Sequence, residues 1–376
     1  MKDKKKLPFF DVIVLGLNIL LGIALLISIM APFTNPQKFW PVAFFGLAYP
    51  IILMANFIMM LYWLLRKRWF VFLSLACALC GWSVLNNNIG FHSNQTGGAD
   101  NLDAKSKNAN TIRVMTYNVH NFKRYGSRND VSTKHEILQI IFDQQPDIIS
   151  LQEFYTRNNG EYDMRDSIVK LMKPGYFYFE PVVFNYKEAI GIAIFSKYPI
   201  VKRGMVPITV HRSENACLYV DVKKGDRIFR IYNIHLQSIR FDPEDYQYIN
   251  SITKDGKTDL SSTRRLGGKL KSAFIKRSAQ VATIKADAAT CTYPYLISGD
   301  FNDTPASFAV NEMAKGLKNA FRERGAGVAR TYNGDFPNFQ IDYIMASPQF
   351  EIVNYTVIQK KLSDHYPVRS DLVIRN

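Results

Sequence analysis

The chain changes its pattern of hydrophobic positions near residue 86. Before that point three stretches are apolar on every side: residues 12–30, interrupted only by Asn18 and Ser28, residues 39–65, and residues 69–85. Helices on the surface of a soluble protein keep a polar face, and these stretches have none. A bilayer crossing takes roughly 17–25 residues, so all three predict transmembrane helices, the third at the short end of that range. A cleaved signal peptide is the rival reading of the first stretch. Its apolar region is too long for one, and no small-x-small cleavage pattern precedes Pro32.

Lys2, Lys4, Lys5 and Lys6 stand before the first stretch, and Arg66-Lys67-Arg68 separates the second from the third. The intervening loop has only Lys38. The positive-inside rule then places the N-terminus and the 66–68 loop in the cytoplasm. Three crossings deliver the rest of the chain to the far side, as an integral membrane protein with an extracytoplasmic domain. Two crossings, with 69–85 lying on the surface, would leave that domain in the cytoplasm. Three is the preferred reading, because a fully apolar stretch lacks the charged face of an interfacial helix.

Residues 87–110 are rich in Asn, Ser, Gly and Asp without periodicity, and predict a flexible linker. From 111 onward short apolar runs alternate with helical patterns. Strands are predicted at 112–119, 147–152, 176–183, 190–195, 200–209, 217–222, 228–234, 295–298, 341–346, 352–357 and 367–374. Helices are predicted at 133–145, 165–172, 261–289 with a break at Gly267-Gly268, and 306–314. This mixture predicts an α/β (α+β) fold, a two-sheet α/β sandwich over 111–376, preceded by the membrane region 1–86.

Composition adds two constraints. A hydrophobic content of 47% excludes a disordered chain, and the net charge of +15 divides into +6 up to Thr111 and +9 beyond it. A basic soluble part is compatible with anionic substrates without naming one. Cys77 and Cys80 lie inside the third apolar stretch, where a zinc site would be out of place. Cys217 and Cys291 read either as a disulfide permitted by an oxidising compartment or as two buried thiols.

The chemistry gathers at strand ends. The run Ser298-Gly299-Asp300-Phe301-Asn302-Asp303 follows an apolar strand, and alternation puts Asp300 and Asn302 on one face with Phe301 behind them. A carboxylate beside a carboxamide can take a proton, help to hold a hard cation or donate to a phosphoryl oxygen. Asn118 closes MTYNVH, Glu153 closes LQE, and His235 closes NIHL. Asp342 sits inside the apolar QIDYIM, and Asp364-His365 precede the last strand in SDHYP. A buried carboxylate needs a partner. His365 is the natural one for Asp342, since an Asp–His pair fixes the imidazole tautomer and supports its charged form.

The ordered series YNV, LQE, GIAIFSKYPI, NIHL, SGDFND, IDYIM and SDHYP resembles the endonuclease/exonuclease/phosphatase superfamily, from about residue 111 to the C-terminus. The resemblance implies a Mg²⁺-dependent phosphoester hydrolase, with Mn²⁺ able to stand in. It implies Glu153 as principal metal ligand, with Asn118 and Asp364 near the metal. It implies Asp300 preparing the attacking water, with Asn302, His235 and His365 on the phosphoryl oxygens and Asp342 orienting His365. Abasic-site endonucleases of this group carry an acidic residue two after the first Asn. Here that position is His120, which weakens the abasic-site reading.

Residues 237–289 form an insertion holding Arg240, Arg264, Arg265, Lys269, Lys271, Lys276 and Arg277. It reads either as a basic overhang meeting an anionic substrate or as a solvated helical face. Tyr246, Tyr248 and Phe274 within it read as base-stacking or as core residues. No Cys/His zinc pattern, Walker-type loop or Gly-x-Ser-x-Gly elbow occurs. Two classes stay open: a membrane-anchored phosphoesterase acting on nucleic acid, phospholipid or small phosphoesters, and a non-catalytic binding module on the same fold.

Overall fold

In the computed structural model the described residues are 7–92, 110–123, 132–210, 213–256, 258–334 and 338–375. They form two compact units, Met1–Asn88 with Pro305–Glu312, and Ile89–Thr304 with Met313–Asn376.

In the first unit, α1 (Phe9–Met30) is one continuous helix, long and apolar enough to span a membrane. After a short α2 (Pro36–Phe39), the predicted helix 39–65 is broken into α3 (Pro41–Leu47) and α4 (Tyr49–Leu65), bent by 65°. Pro50 has no N–H to give the Gly46 carbonyl one turn back, so a straight helix cannot run through it. The predicted 69–85 helix is likewise α5 (Val71–Cys80) and α6 (Trp82–Asn88), bent by 71° at Gly81. A side chain at Gly81 would start 2.6 Å from the Ile29 side chain, so the bend sits where two helices pack without room for a Cβ. One helix therefore meets the length criterion alone, and the bent pairs bring the number to three only if each counts as a single span. The polar residues of these helices face one another. Tyr62 and Arg66 donate to Asp11 at 2.7 Å each, and Ser74 donates to Asn18 at 2.6 Å.

The second unit begins with β1 (Ile89–Phe91), β2 (Thr111–Asn118), β3 (Ile148–Arg157), β4 (Tyr176–Phe184) and β5 (Glu188–Ser196). It continues with β6 (Ile200–Val206), β7 (Ala216–Lys224), β8 (Arg227–His235), β9 (Tyr295–Asp300) and β10 (Lys318–Asn319). The last strands are β11 (Ala326–Val328), β12 (Asp342–Ala346), β13 (Phe350–Ile352), β14 (Thr356–Val357) and β15 (Val368–Ile374). One sheet runs β10-β12-β9-β8-β7-β6, and the other β13-β15-β2-β3-β5-β4 with β14 beside β15. The predicted two-sheet α/β architecture is what these strands build.

Ile112, Val114, Ile148 and Ile194 of one sheet meet Leu218, Val220, Ile231, Leu296 and Ile344 of the other. The opposite face of the first sheet, with Met115, Tyr117, Ile149 and Leu151, is covered by Ile137, Ile140 and Ile141 of α7 (Ser132–Gln144). Covering both faces is why β2 reads as an unbroken buried run. α8 (Met164–Leu171) packs its Met164 and Ile168 into the same layer.

Two local expectations fail. Within the predicted linker, residues 89–91 form a strand, because Ile89–Phe91 pair with Ala326–Val328 far along the chain; residues 93–109 lie outside the described residues. The break expected at Gly267-Gly268 is absent from α10 (Leu260–Ala289), whose preceding partner is α9 (Pro243–Asp255). Packing of Leu270, Phe274, Val281 and Ile284 outweighs the cost of about 1 kcal/mol for a helical glycine. The sequence does signal α9: Asp242, Pro243 and Asp245 form a capping box with proline in the first turn.

The buried ion pair of Arg113 and Asp371 ties β2 to β15, its two contacts measuring 2.8 and 2.9 Å. Arg113→Met should leave Asp371 buried without its cation, lowering stability by about 3–5 kcal/mol, while adding Asp371→Leu should recover most of the loss. Near-UV circular dichroism of the full chain in detergent during denaturant unfolding measures both. A double variant no more stable than the single one would show that the pair does not carry this energy.

Candidate active site

Two parallel strand pairs, β2–β3 and β8–β9, bring polar residues to their C-terminal ends. In the β8–β9 register His235 lies opposite Asp300, and in the antiparallel β9–β12 register Asp342 does so from the other side. Asp300 is 1% exposed. Its Oδ2 receives a 3.1 Å hydrogen bond from Asn118 Nδ2 and lies 3.6 Å from Nε2 of both His235 and His365. Oδ1 accepts from the Asn302 N–H at 2.8 Å. Burial pushes the Asp300 carboxyl up, opposed by His365 and His235 and reinforced by Asp342.

His365 shares its Nδ1 with Asp342 at 3.0 and 3.2 Å, which turns Nε2 toward Asp300. Burial works against a charged ring, but Asp342, Asp300 and Asp364 outweigh it and hold the His365 pKa well above its ordinary value. Thr331 Oγ1 accepts the Ile341 and Asp342 N–H groups at 2.9 and 3.0 Å, so the start of β12 is fixed as well. His235 Nε2 has no hydrogen-bond partner among the described residues. A buried ring nitrogen without a hydrogen bond beside a carboxylate is placed to meet a polar atom of a substrate.

The second group lies toward the surface. Asn118 Nδ2 also donates to Glu153 Oε1 at 3.1 Å, and Asn118 Oδ1 accepts from the His120 N–H at 3.1 Å. Glu153 sits at an irregularity of β3, between Leu151 and Phe154, with φ at +51°. Asn302 has φ of +54° and His120 of +44°. Left-handed backbone at three non-glycine residues of one site costs of order 1 kcal/mol or more each and persists only where the surroundings enforce it. Burial alone would raise the Glu153 carboxyl, but the contact with His120, the charges of His235 and His120, and the Asn118 amide bring its pKa down to about 2. The partly exposed carboxylates of Glu153 and Asp364 and the buried Asn118 amide offer oxygens, which is the donor chemistry of a hard divalent cation. Asp300, Asp342 and His365 form an inner, buried group whose ligand atoms lie within 4.8 Å of one another.

Asn118, His235 and Asp300 thus close their strands, Glu153 lies within β3, Asn302 follows β9, Asp342 opens β12 and Asp364 and His365 precede β15, and direct contacts link all of these but Asp364. Two more residues, read in the sequence as a departure from the abasic-site pattern and as part of the basic insertion, also stand at the site. His120 lies 3.5 Å from Glu153 and 3.6 Å from Asp364. Arg277, 1% exposed on α10, pairs with Asp303 at 3.0 Å and donates to the Asn302 carbonyl, steadying the turn that carries Asn302. The spacing of Arg277 from the buried face of α10 was the available signal, since an arginine on an apolar stripe needs an anionic partner.

The insertion takes the bland reading at several positions. Arg265 donates to Asp245 at 2.8 Å, and Lys269 contacts Asp242 and Asp245 at 2.6 and 2.5 Å, so their charge is spent joining α9 to α10. Tyr248 and Phe274 are buried, which makes them core residues and removes them as stacking platforms.

A family model described as "Endonuclease/Exonuclease/phosphatase family" matches residues 115–365, and a domain of unknown function matches residues 11–88. No curated protein is significantly similar in sequence. Among solved structures, the endonuclease/exonuclease/phosphatase from Beutenbergia cavernae is similar at 19% identity and a TM-score of 0.52, covering 71% of this chain and 72% of that one. One from Bacteroides vulgatus is similar at 17% identity and TM-score 0.50, covering 70% and 99%. The human Nocturnin catalytic domain is similar at 18% identity and TM-score 0.50, covering 70% and 93%.

The His365–Asp342 geometry generates a pH prediction. Because the folded pKa is raised, the ring should stay protonated as pH climbs through the ordinary histidine range near 6.5, and Asp342→Asn should bring its titration down. Imidazole ¹⁵N chemical shifts in metal-free protein report this directly; a neutral His365 at pH 7 in the wild type would contradict it.

Proposed function

The chain belongs to the endonuclease/exonuclease/phosphatase family, and from that premise we propose that it is a membrane-anchored, divalent-metal-dependent phosphoesterase. In this reading residues 1–86 anchor the protein by three crossings, residues 87–110 link, and residues 111–376 hydrolyse phosphodiester or phosphomonoester bonds outside the cytoplasm. The observation that carries it is the meeting of Asp300 with Asn118, His235 and His365 at the ends of strands from both sheets.

A divalent cation, Mg²⁺ or Mn²⁺, held by Glu153, Asn118 and Asp364 would neutralise charge on a phosphoryl oxygen. The chain's own groups do the rest. Asp300 takes a proton from water as the water oxygen bonds to phosphorus, and the P–O bond to the leaving group breaks. Its burial raises its proton affinity for that step. His365, held charged by Asp342, donates from Nε2 to a phosphoryl oxygen, and His235 Nε2 and the Asn302 amide stand beside the same point. Asp342 acts through His365 and is a positioning residue.

The full chain in detergent should release p-nitrophenol from bis-p-nitrophenyl phosphate when a divalent cation is added, and plasmid DNA, RNA and phospholipids tested alongside identify the substrate class. Glu153→Gln should be partly rescued by excess metal, whereas Asp300→Asn should lose kcat without rescue. His365→Ala should cost about 10²–10³-fold, the effect of deleting one donor to developing charge. Asp342→Asn should resemble it, with a double variant barely worse than either. Additive losses would dissolve the pair. For the topology, alkaline phosphatase fused after Asn376 should be active; activity only of a cytoplasmic reporter would reduce the crossings to two.

A further inference from the structure

The two sheets meet through apolar side chains over most of their depth, with Ile112, Val114 and Ile148 against Phe229, Ile231 and Leu296. Next to the site the contact changes character. Thr116, Asn233 and Ser298 stand two residues before Asn118, His235 and Asp300, so strand alternation puts each pair on one face. With Ser150 and Gln152 of β3 they make a polar tier directly beneath the site, and every member is fully buried.

This tier bonds sheet to sheet. Gln152 Nε2 donates to Asn233 Oδ1 at 2.6 Å and to Thr116 Oγ1 at 3.1 Å. Asn233 Nδ2 donates to the Leu151 carbonyl at 3.0 Å and to the Ala193 carbonyl at 2.8 Å. The Ser150 and Ser298 hydroxyls share a 2.8 Å hydrogen bond. Leu151 and Ala193 face each other in the last regular rung of β3 and β5 before the irregularity that contains Glu153. Asn233 therefore holds the backbone at the edge of that irregularity from the opposite sheet. Stability does not account for the arrangement. Apolar side chains of similar volume would join the sheets as they do deeper in the core, whereas Gln152 Oε1 is buried with no hydrogen-bond partner among the described residues and carries an uncompensated desolvation penalty. What the hydrogen bonds add is a fixed distance and direction between the sheets. The site needs both, since Asn118 of one sheet reaches Asp300 of the other at 3.1 Å.

We propose that Gln152 and Asn233 are positioning residues, a buried cross-sheet brace that sets the Glu153 irregularity and the spacing across which Asn118 donates to Asp300. Neither touches the reacting atoms. The proposal deepens the phosphoesterase reading and rests on it for what the positioned groups do.

The test uses the full-length protein in detergent, with bis-p-nitrophenyl phosphate and Mn²⁺. Gln152→Met keeps the volume and exchanges one unmet acceptor for another, so its thermal midpoint should hardly move. Asn233→Leu removes the donors to both carbonyls and is the stronger variant; if it does not fold, Gln152→Met carries the test. The kcat of each folded variant should fall by roughly 10–100-fold, the scale of a small misplacement of reacting groups. Asn118→Ala added to Gln152→Met should cost less than it does alone, because the brace acts through Asn118. A readout free of activity is the ¹⁵N side-chain amide signal of Asn118, identified by its absence in Asn118→Ala. It should move toward the position of a free amide in Gln152→Met. An unchanged kcat in Gln152→Met overturns the proposal, and so do additive losses with Asn118→Ala. An Asn118 signal that does not move overturns it whatever the activity. A wild type that hydrolyses nothing while the signal does move removes the phosphoesterase reading and leaves the brace standing.

Discussion

A carboxylate with almost no access to water is the constraint on which the catalytic unit depends. Asp300 cannot be buried unless other groups compensate it, and its partners come from β2, β8 and the loop before β15. Both sheets contribute, so their relative position is fixed by charge as well as by the apolar packing between them. A slip of one residue in the β8–β9 register would turn His235 to the other face. The loss would be electrostatic as well as geometric, because Asp342 and Asp300 would then repel each other with less positive charge between them.

The same constraint explains what the sequence made legible. An aspartate between Ile341 and Tyr343 is anomalous in an apolar strand, and that anomaly was enough to pair it with His365, 23 positions later. Strand ends were visible wherever an apolar run met a polar residue. Helices with standard amphipathic faces were visible too. What stayed hidden depended on distant partners. Nothing local to residues 89–91 announces a strand whose mate is Ala326–Val328, and nothing local to Gly267 and Gly268 says that Leu270 and Phe274 will hold the helix together. The bends at Pro50 and Gly81 lie between. The proline was readable by itself, while the glycine is explained only by the Ile29 side chain against it.

The backbone makes a related point about His120, Glu153 and Asn302. Left-handed φ at a non-glycine residue is a local rule broken, and sequence reading assumes local rules are kept. Three such breaks at one site show the surrounding structure holding these residues against their preference. Arg277 belongs to the same scheme. α10 belongs to neither sheet, yet the guanidinium of its Arg277 grips the turn that carries Asn302.

The Arg113–Asp371 pair joins residues 258 positions apart. β2 is the first long strand of its unit to be synthesised, and β15, its neighbour, is the last. The centre of that sheet therefore cannot close until β15 is available to pair. Until then Arg113 has no counter-ion and β2 has an open edge. A chain lacking β15 would therefore lose both the partner strand of β2 and the counter-ion of Arg113 in one step.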